Sequence, residues 1–320
     1  MLREHVIPRT DNLPRATAWL FLVVAGLGLA LFTAAIFGFT PASPASDAWN
    51  YLAAGERLNI GHPLYALSPG DRAVLLAPPY WSVPLLAPPP IAVAWRPLAL
   101  LGPPVMTLWA ISGLVATVLA AGWLIIRGGI VVAAILASLS LALAEQAVAG
   151  NVNGLLFPAV VLAWVFRSRP ALVGAVVAVA AAVKLTPLLL IVWLVAARRW
   201  RAIGFVVVVL MVIGVVSLAG AGIQNHLDWL RSVPTSTPAP SSISGLTGLP
   251  SGVVILVLLG VVLGISRHGD ERLTFSAAVL ATAFASPALY MGTLGIAAAA
   301  AAPWLDPDGA FLPALRPRRS

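Results

Sequence analysis

A succession of long apolar runs separated by short basic clusters constrains this chain more than any other feature. The runs cover about 17–39, 104–126, 130–147, 154–166, 170–183, 186–197, 202–221, 251–266, 273–287 and 289–303. Many are too long for the strands or core helices of an ordinary water-soluble domain. With 60% hydrophobic and only 9% charged residues, the chain reads as an all-α integral membrane protein, a polytopic helical bundle of about ten transmembrane passes.

The placement of charge supplies the topology. A net charge of +8 could suggest nucleic acid, but the basic residues stand in short clusters between apolar runs and form no continuous patch. Lys and Arg collect in cytoplasmic loops. With the N-terminus inside, Arg127, Arg167, Arg169, Arg198, Arg199, Arg201, Arg267, Arg272, Arg316, Arg318 and Arg319 all fall inside, and Arg57, Arg72, Arg96 and Arg231 outside. Two conditions are needed. Residues 84–101, rich in proline and carrying Arg96, must lie on the surface, and 170–197 must be two short passes meeting near Lys184.

The chain then divides into a cytoplasmic tail (1–16), a transmembrane module (17–223) with a large first outer loop (40–103), an outer Pro- and Ser-rich loop (224–250) expected to be a mobile cover, C-terminal transmembrane helices (251–305) and a basic cytoplasmic tail (306–320). The first run is about 23 residues, longer than a secretory signal core, and reads as an uncleaved anchor. Arginine in place of nearly all lysine, with abundant Ala, Gly and Pro, points to a GC-rich bacterial genome and hence a bacterial plasma membrane. The absence of cysteine excludes disulfides and thiolate metal or redox sites.

This topology gathers the unusual polar residues at the outer face. Residues 47–60 read as a short helix with Ser46 as N-cap and Gly61 as its stop. Asp47 and Tyr51 share one face of it and Trp49 a neighbouring one; Asp47 also suits the positive end of a helix dipole. Glu145, Gln146, Asn151 and Asn153 lie at an outward helix end and the turn after it, as sugar-hydroxyl ligands or as ordinary turn residues. Lys184 is the only lysine of the chain, within an almost wholly apolar stretch. It is either a phosphate-binding cation or a snorkelling anchor. No nucleotide loop, Ser-His-Asp set or metal-ligand spacing is present in the sequence.

The stretch from Asp47 to Tyr65 (DAWNYLAAGERLNIGHPLY), Trp95-Arg96-Pro97-Leu98, Gln146 with Asn151-Val152-Asn153-Gly154, Lys184-Leu185-Thr186-Pro187-Leu188 followed by Arg198-Arg199-Trp200-Arg201, and Ser286-Pro287 occur in an order that resembles the polyprenol-phosphate-sugar-dependent glycosyltransferases of family 87, relatives of phosphatidylinositol-mannoside mannosyltransferases. The resemblance implies a GT-C fold with two helices of the first outer loop lying on the membrane. It also implies that Asp47 is the catalytic base.

On this reading, Lys184, Arg57 and Arg96 bind the donor phosphate, and Trp49, Tyr51, Glu145, Gln146, Asn151, Asn153 and Tyr290 bind sugar or acceptor. No metal or cofactor is expected beyond the polyprenyl-phosphate-sugar donor. The partners are membrane lipids, that donor and a lipid or glycan acceptor, with no nucleic acid. A transporter or flippase for a lipid-linked or anionic substrate, or an inactive GT-C-like scaffold, is the alternative.

Overall fold

The computed structural model describes residues 45–72, 84–235 and 238–305, with isolated helical positions at 24, 26, 28, 30 and 31. Both expected tails and most of the expected anchor lie outside the described residues. Every regular element among those described is a helix. In chain order they are α1 (Ser46–Asn59), α2 (Pro89–Ala99), α3 (Pro104–Ser138), α4 (Ser140–Val148), α5 (Asn153–Val165), α6 (Pro170–Val183), α7 (Leu190–Ala196), α8 (Trp200–Thr235), α9 (Ile243–Thr247), α10 (Ser251–Ser266), α11 (Glu271–Phe284), α12 (Met291–Leu294) and α13 (Ala302–Leu305). Short 3-10 segments precede α7 (Thr186–Leu189) and join α12 to α13 (Gly295–Ala301).

Two helices, Pro104–Ser138 and Trp200–Ser232, are long and apolar enough to cross a membrane, and shorter apolar helices cover most of the other runs. Both long helices contain a non-helical glycine, Gly129 in α3 and Gly222 in α8. The runs 104–126 and 130–147 thus meet at Gly129, and the run 202–221 ends at Gly222. Beyond Gly222 the chain stays helical to Thr235, where a loop was expected. The first outer loop holds that extension in place: Asn225 Oδ1 accepts from Leu64 N at 2.8 Å, and Trp229 Nε1 donates to Leu86 O at 3.4 Å. Beyond the helix the described part of the expected cover is also bonded to the C-terminal segment, since Ala239 N donates to Pro287 O at 2.8 Å and Ser241 Oγ to Leu289 O.

The stretch 170–197 folds back on itself. Helix α6 ends at Val183, Lys184 is extended (φ −154°, ψ 127°), and a 3-10 turn leads into α7. A single straight helix over this stretch would hold its ends about 40 Å apart. Instead, Arg199 Nη1 donates to the Arg167 carbonyl. Glu271 fastens the same end, pairing with Arg199 at 2.7 Å and accepting from Trp193 Nε1 at 3.1 Å. Beneath it Trp164, Trp193 and Phe275 pack with ring centroids 4.7–6.1 Å apart, and the Arg167 guanidinium lies 4.2 Å from the Trp164 ring centre. Aromatic faces and a carboxylate therefore stabilise a cluster of like charges.

Small residues let the helices approach where lipid provides little hydrophobic driving force for association. A Cβ on Gly174 of α6 would lie 2.6 Å from Ala202 O of α8, and one on Gly55 of α1 would lie 2.6 Å from Trp95 O of α2. The 11-residue α2, only about 16 Å long, cannot span a hydrocarbon core and packs against α1 and α8.

Candidate active site

The start of α1 is fixed by backbone. Its first helical N–H groups have no partner within the helix, and the last carbonyls of α4 face the same deficit. The two ends meet: Ala45 N donates to Val148 O at 2.7 Å, Asp47 N to Ala149 O at 2.8 Å and Ala48 N to Ala149 O at 3.3 Å. Ser46 is accordingly the first residue of the helix and not its side-chain cap. Only glycine suits position 150, which has φ +63° and where a Cβ would lie 2.8 Å from that of Ala48. The Gly150 carbonyl accepts from Trp109 Nε1 of α3 at 2.9 Å, locking the turn that follows.

From that turn a chain of hydrogen bonds crosses the bundle. Asn151 Nδ2 donates to Asp47 Oδ2 at 2.7 Å, and Asn153 N donates to Asn151 Oδ1 at 2.8 Å. Lys184 Nζ, at the break after α6, donates to Asn153 Oδ1 at 3.1 Å. Asn153 Nδ2 donates in turn to Thr293 Oγ1 of α12 at 3.4 Å. A carboxylate and an ammonium thus stand at opposite ends of an amide pair, where the start of α1, the turn after α4 and the break after α6 meet. Burial pushes the Asp47 carboxyl above its ordinary value, while the Asn151 hydrogen bond and the Lys184 charge pull against it.

The other expected site residues are distributed unequally around this chain. Tyr51, one turn along α1, is buried against Trp95 with ring centroids 5.8 Å apart. Burial and the Asp47 charge hold its phenol protonated. The Trp49 ring is covered by the Arg72 guanidinium at 4.7 Å, itself held by Glu56 through two bonds of 2.6 and 2.7 Å. Gln146 is 1% exposed, and neither polar atom of its side chain has a hydrogen-bond partner; Glu145 Oε2 is equally buried and unpaired. Both face α12 and the 3-10 stretch after it, where a Cβ on Gly295 would come within 2.9 Å of Gln146 Oε1. Tyr290 lies exposed just before α12.

Arg57 and Arg96 are not gathered with Lys184. Ten positions beyond Asp47 on α1, Arg57 is about 15 Å along the axis. It donates Nη2 to Leu64 O at 3.1 Å and leaves Nε and Nη1 buried and unpaired. Arg96 ties Asn59 Oδ1 (3.1 Å) to Gly220 O (2.8 Å) at the far end of α1. Two neighbours of the site were not singled out from sequence, Thr293 and Trp109; Thr186, part of the motif around Lys184, has a buried hydroxyl oxygen without a partner. Thr293 sits in an Ala- and Gly-rich run with no local signal. Only the fold brings it to Asn153.

A sequence model of glycosyltransferase family 87 matches residues 86–291. The chain belongs to glycosyltransferase family 87. It is therefore a membrane glycosyltransferase of GT-C type, and its family-matched segment holds Glu145, Gln146, Asn151, Asn153 and Lys184, whereas Asp47 precedes that segment. No curated protein and no solved structure matches the chain.

Proposed function

We propose that this family 87 enzyme transfers mannose or a pentofuranose, with inversion, from a polyprenyl-phosphate carrier to a lipid or glycan acceptor at the outer face of a bacterial plasma membrane. The observation that carries this reading is the hydrogen-bonded line from Asp47 through Asn151 and Asn153 to Lys184. It supplies a base and a cation at one site, the two charges that transfer from a lipid phosphate requires.

The acceptor hydroxyl oxygen forms a bond to the anomeric carbon as the bond from that carbon to the donor phosphate oxygen breaks. The hydroxyl proton passes to Asp47. The prenyl phosphate leaves as an anion opposite Lys184, so no second acid is needed to protonate it, unlike the leaving group in glycoside hydrolysis. Sugar hydroxyls are natural partners for the buried, unpaired atoms of Glu145 and Gln146, because an unmet buried polar group is costly. Arg57, at the other end of α1, retains a phosphate-binding role only for a group distant from the leaving phosphate.

Purified protein in liposomes, given radiolabelled polyprenyl-phosphate mannose and polyprenyl-phosphate pentofuranose with bacterial lipid extract, is expected to release prenyl phosphate and label an acceptor from one donor. Turnover of neither donor, with activity from a nucleotide sugar instead, would refute the donor assignment. The outer-face reading draws support from the arginine distribution and from the closure of Arg167, Arg199 and Glu271 at one end of the hairpin. In this cysteine-free chain, cysteines at the exposed positions Ala66 and Leu246 are expected to react with an impermeant thiol reagent in sealed cells. A cysteine at the exposed Ser168 is expected to stay unreacted until the membrane is opened. Labelling of position 168 from outside reverses the orientation.

A further inference from the structure

Resting on the assignment of Asp47 and Lys184 above, we propose that Asn151 and Asn153 are positioning residues which fix the base and the cation against one another, and that Thr293 sets the orientation of the Asn153 amide. Sequence reading makes the two asparagines sugar ligands, but both ends of each amide are engaged by protein. Asn151 uses Nδ2 on Asp47 and Oδ1 on the Asn153 N–H. With Oδ2 of Asp47 held in this way, Oδ1 is the oxygen left to receive a proton.

The orientation of Asn153 follows from donor and acceptor counting. Lysine has three donors and no acceptor, so Lys184 requires the amide oxygen. The single hydroxyl proton of Thr293 is directed at Ala288 O, 3.4 Å away, leaving lone pairs toward Asn153 and requiring the amide nitrogen there. Both demands select one orientation of a side chain that is 2% exposed, and Thr293 itself is 3% exposed. A flipped amide would aim N–H groups at the ammonium. Three ionisable groups act electrostatically with Asp47: Tyr51 on its own helix, Glu145 on α4 and Lys184 at the break after α6. A displaced Lys184 would therefore be felt at the base.

The test follows Asp47 without requiring turnover. Carbodiimide modifies protonated carboxyls, so mass spectrometry of the full-length protein labelled across a pH series gives the midpoint of Asp47 ionisation. Asn151→Ala removes a hydrogen bond to the charged form, and its midpoint is expected to move upward. Asn151→Ser serves the same purpose should the alanine variant not purify. Thr293→Val is expected to move the midpoint in the same direction by a smaller amount, and Thr293→Ser to restore it. In transfer assays the Asn151→Ala loss is expected to fall on kcat, roughly tenfold at the acidic end and less at the alkaline end. An unmoved midpoint with a raised donor KM would make Asn151 a sugar ligand and overturn the proposal. An unmoved midpoint in Thr293→Val removes Thr293 from it. A wild-type protein that turns over no polyprenyl donor defeats the proposed donor while the labelling midpoints still decide the positioning role.

Discussion

Asp47→Asn is expected to lower sugar transfer by roughly 10²- to 10⁴-fold while leaving donor binding nearly intact. The amide keeps the shape of the side chain but cannot take up the acceptor proton. The backbone bonds from Asp47 N and Ala48 N to Ala149 O do not involve the side chain, so α1 stays seated on α4. The pH profile adds a second readout. Only the ionised carboxylate can act as base, and burial raises Asp47 above its ordinary value. Activity therefore falls as pH drops through that raised value, at a higher pH than for a solvated carboxyl. Stability runs the other way: a carboxyl raised in the folded state contributes fully below its unfolded pKa, and the contribution is lost as pH rises through the folded value. An Asp47→Asn enzyme that transfers sugar at the wild-type rate with the same acidic limb would exclude Asp47 as the base.

Lys184→Met is expected to remove about 2–4 kcal/mol of transition-state stabilisation, on the scale of losing one preorganised donor from an anion hole, or roughly 30- to 10³-fold in turnover. Methionine preserves much of the apolar stem, so the break after α6 keeps its packing while the charge disappears. Lys184 also lowers the Asp47 pKa through space, so the acidic limb of the variant should move upward. That coupled shift separates a site cation from an interfacial anchor. Measured transfer and pH profile both unchanged would leave Lys184 as an anchor alone. A loss confined to protein yield would give it a structural role.

The two variants probe parts of the site that were unequally legible. Asp47 and Lys184 stand out in sequence because a lone acid beside an apolar run and a lone lysine within one are costly to place in a membrane protein. Their separation of 137 positions gives no hint that two amides link them. The Asn151-Val152-Asn153 turn was visible as polar, but the partners of its amides, Asp47, Lys184 and Thr293, were not. A side chain that binds sugar and one that orients a neighbour have the same composition. Arg57 and Arg96 illustrate the converse: basic and in the same outer loop as Asp47, they are carried by the helical rise of α1 and the packing of α2 toward the far end of α1.

Hydropathy and arginine spacing by themselves determined that the chain is a helical membrane protein, where most apolar elements begin and end, and that 170–197 reverses at Lys184. These are consequences of the cost of exposing backbone and charge to hydrocarbon, which acts locally along the chain. Tertiary structure decided what local cost cannot specify. It extended α8 past Gly222 because Leu64 and Leu86 meet its polar side chains, and it capped α1 with the carbonyls of α4 in place of Ser46. It brought Thr293 to Asn153 because the small residues of α12 and the following turn allow close approach to α4. Hydrogen-bond partners distant in sequence are selected only when helices pack, and that selection turns isolated polar residues into a site.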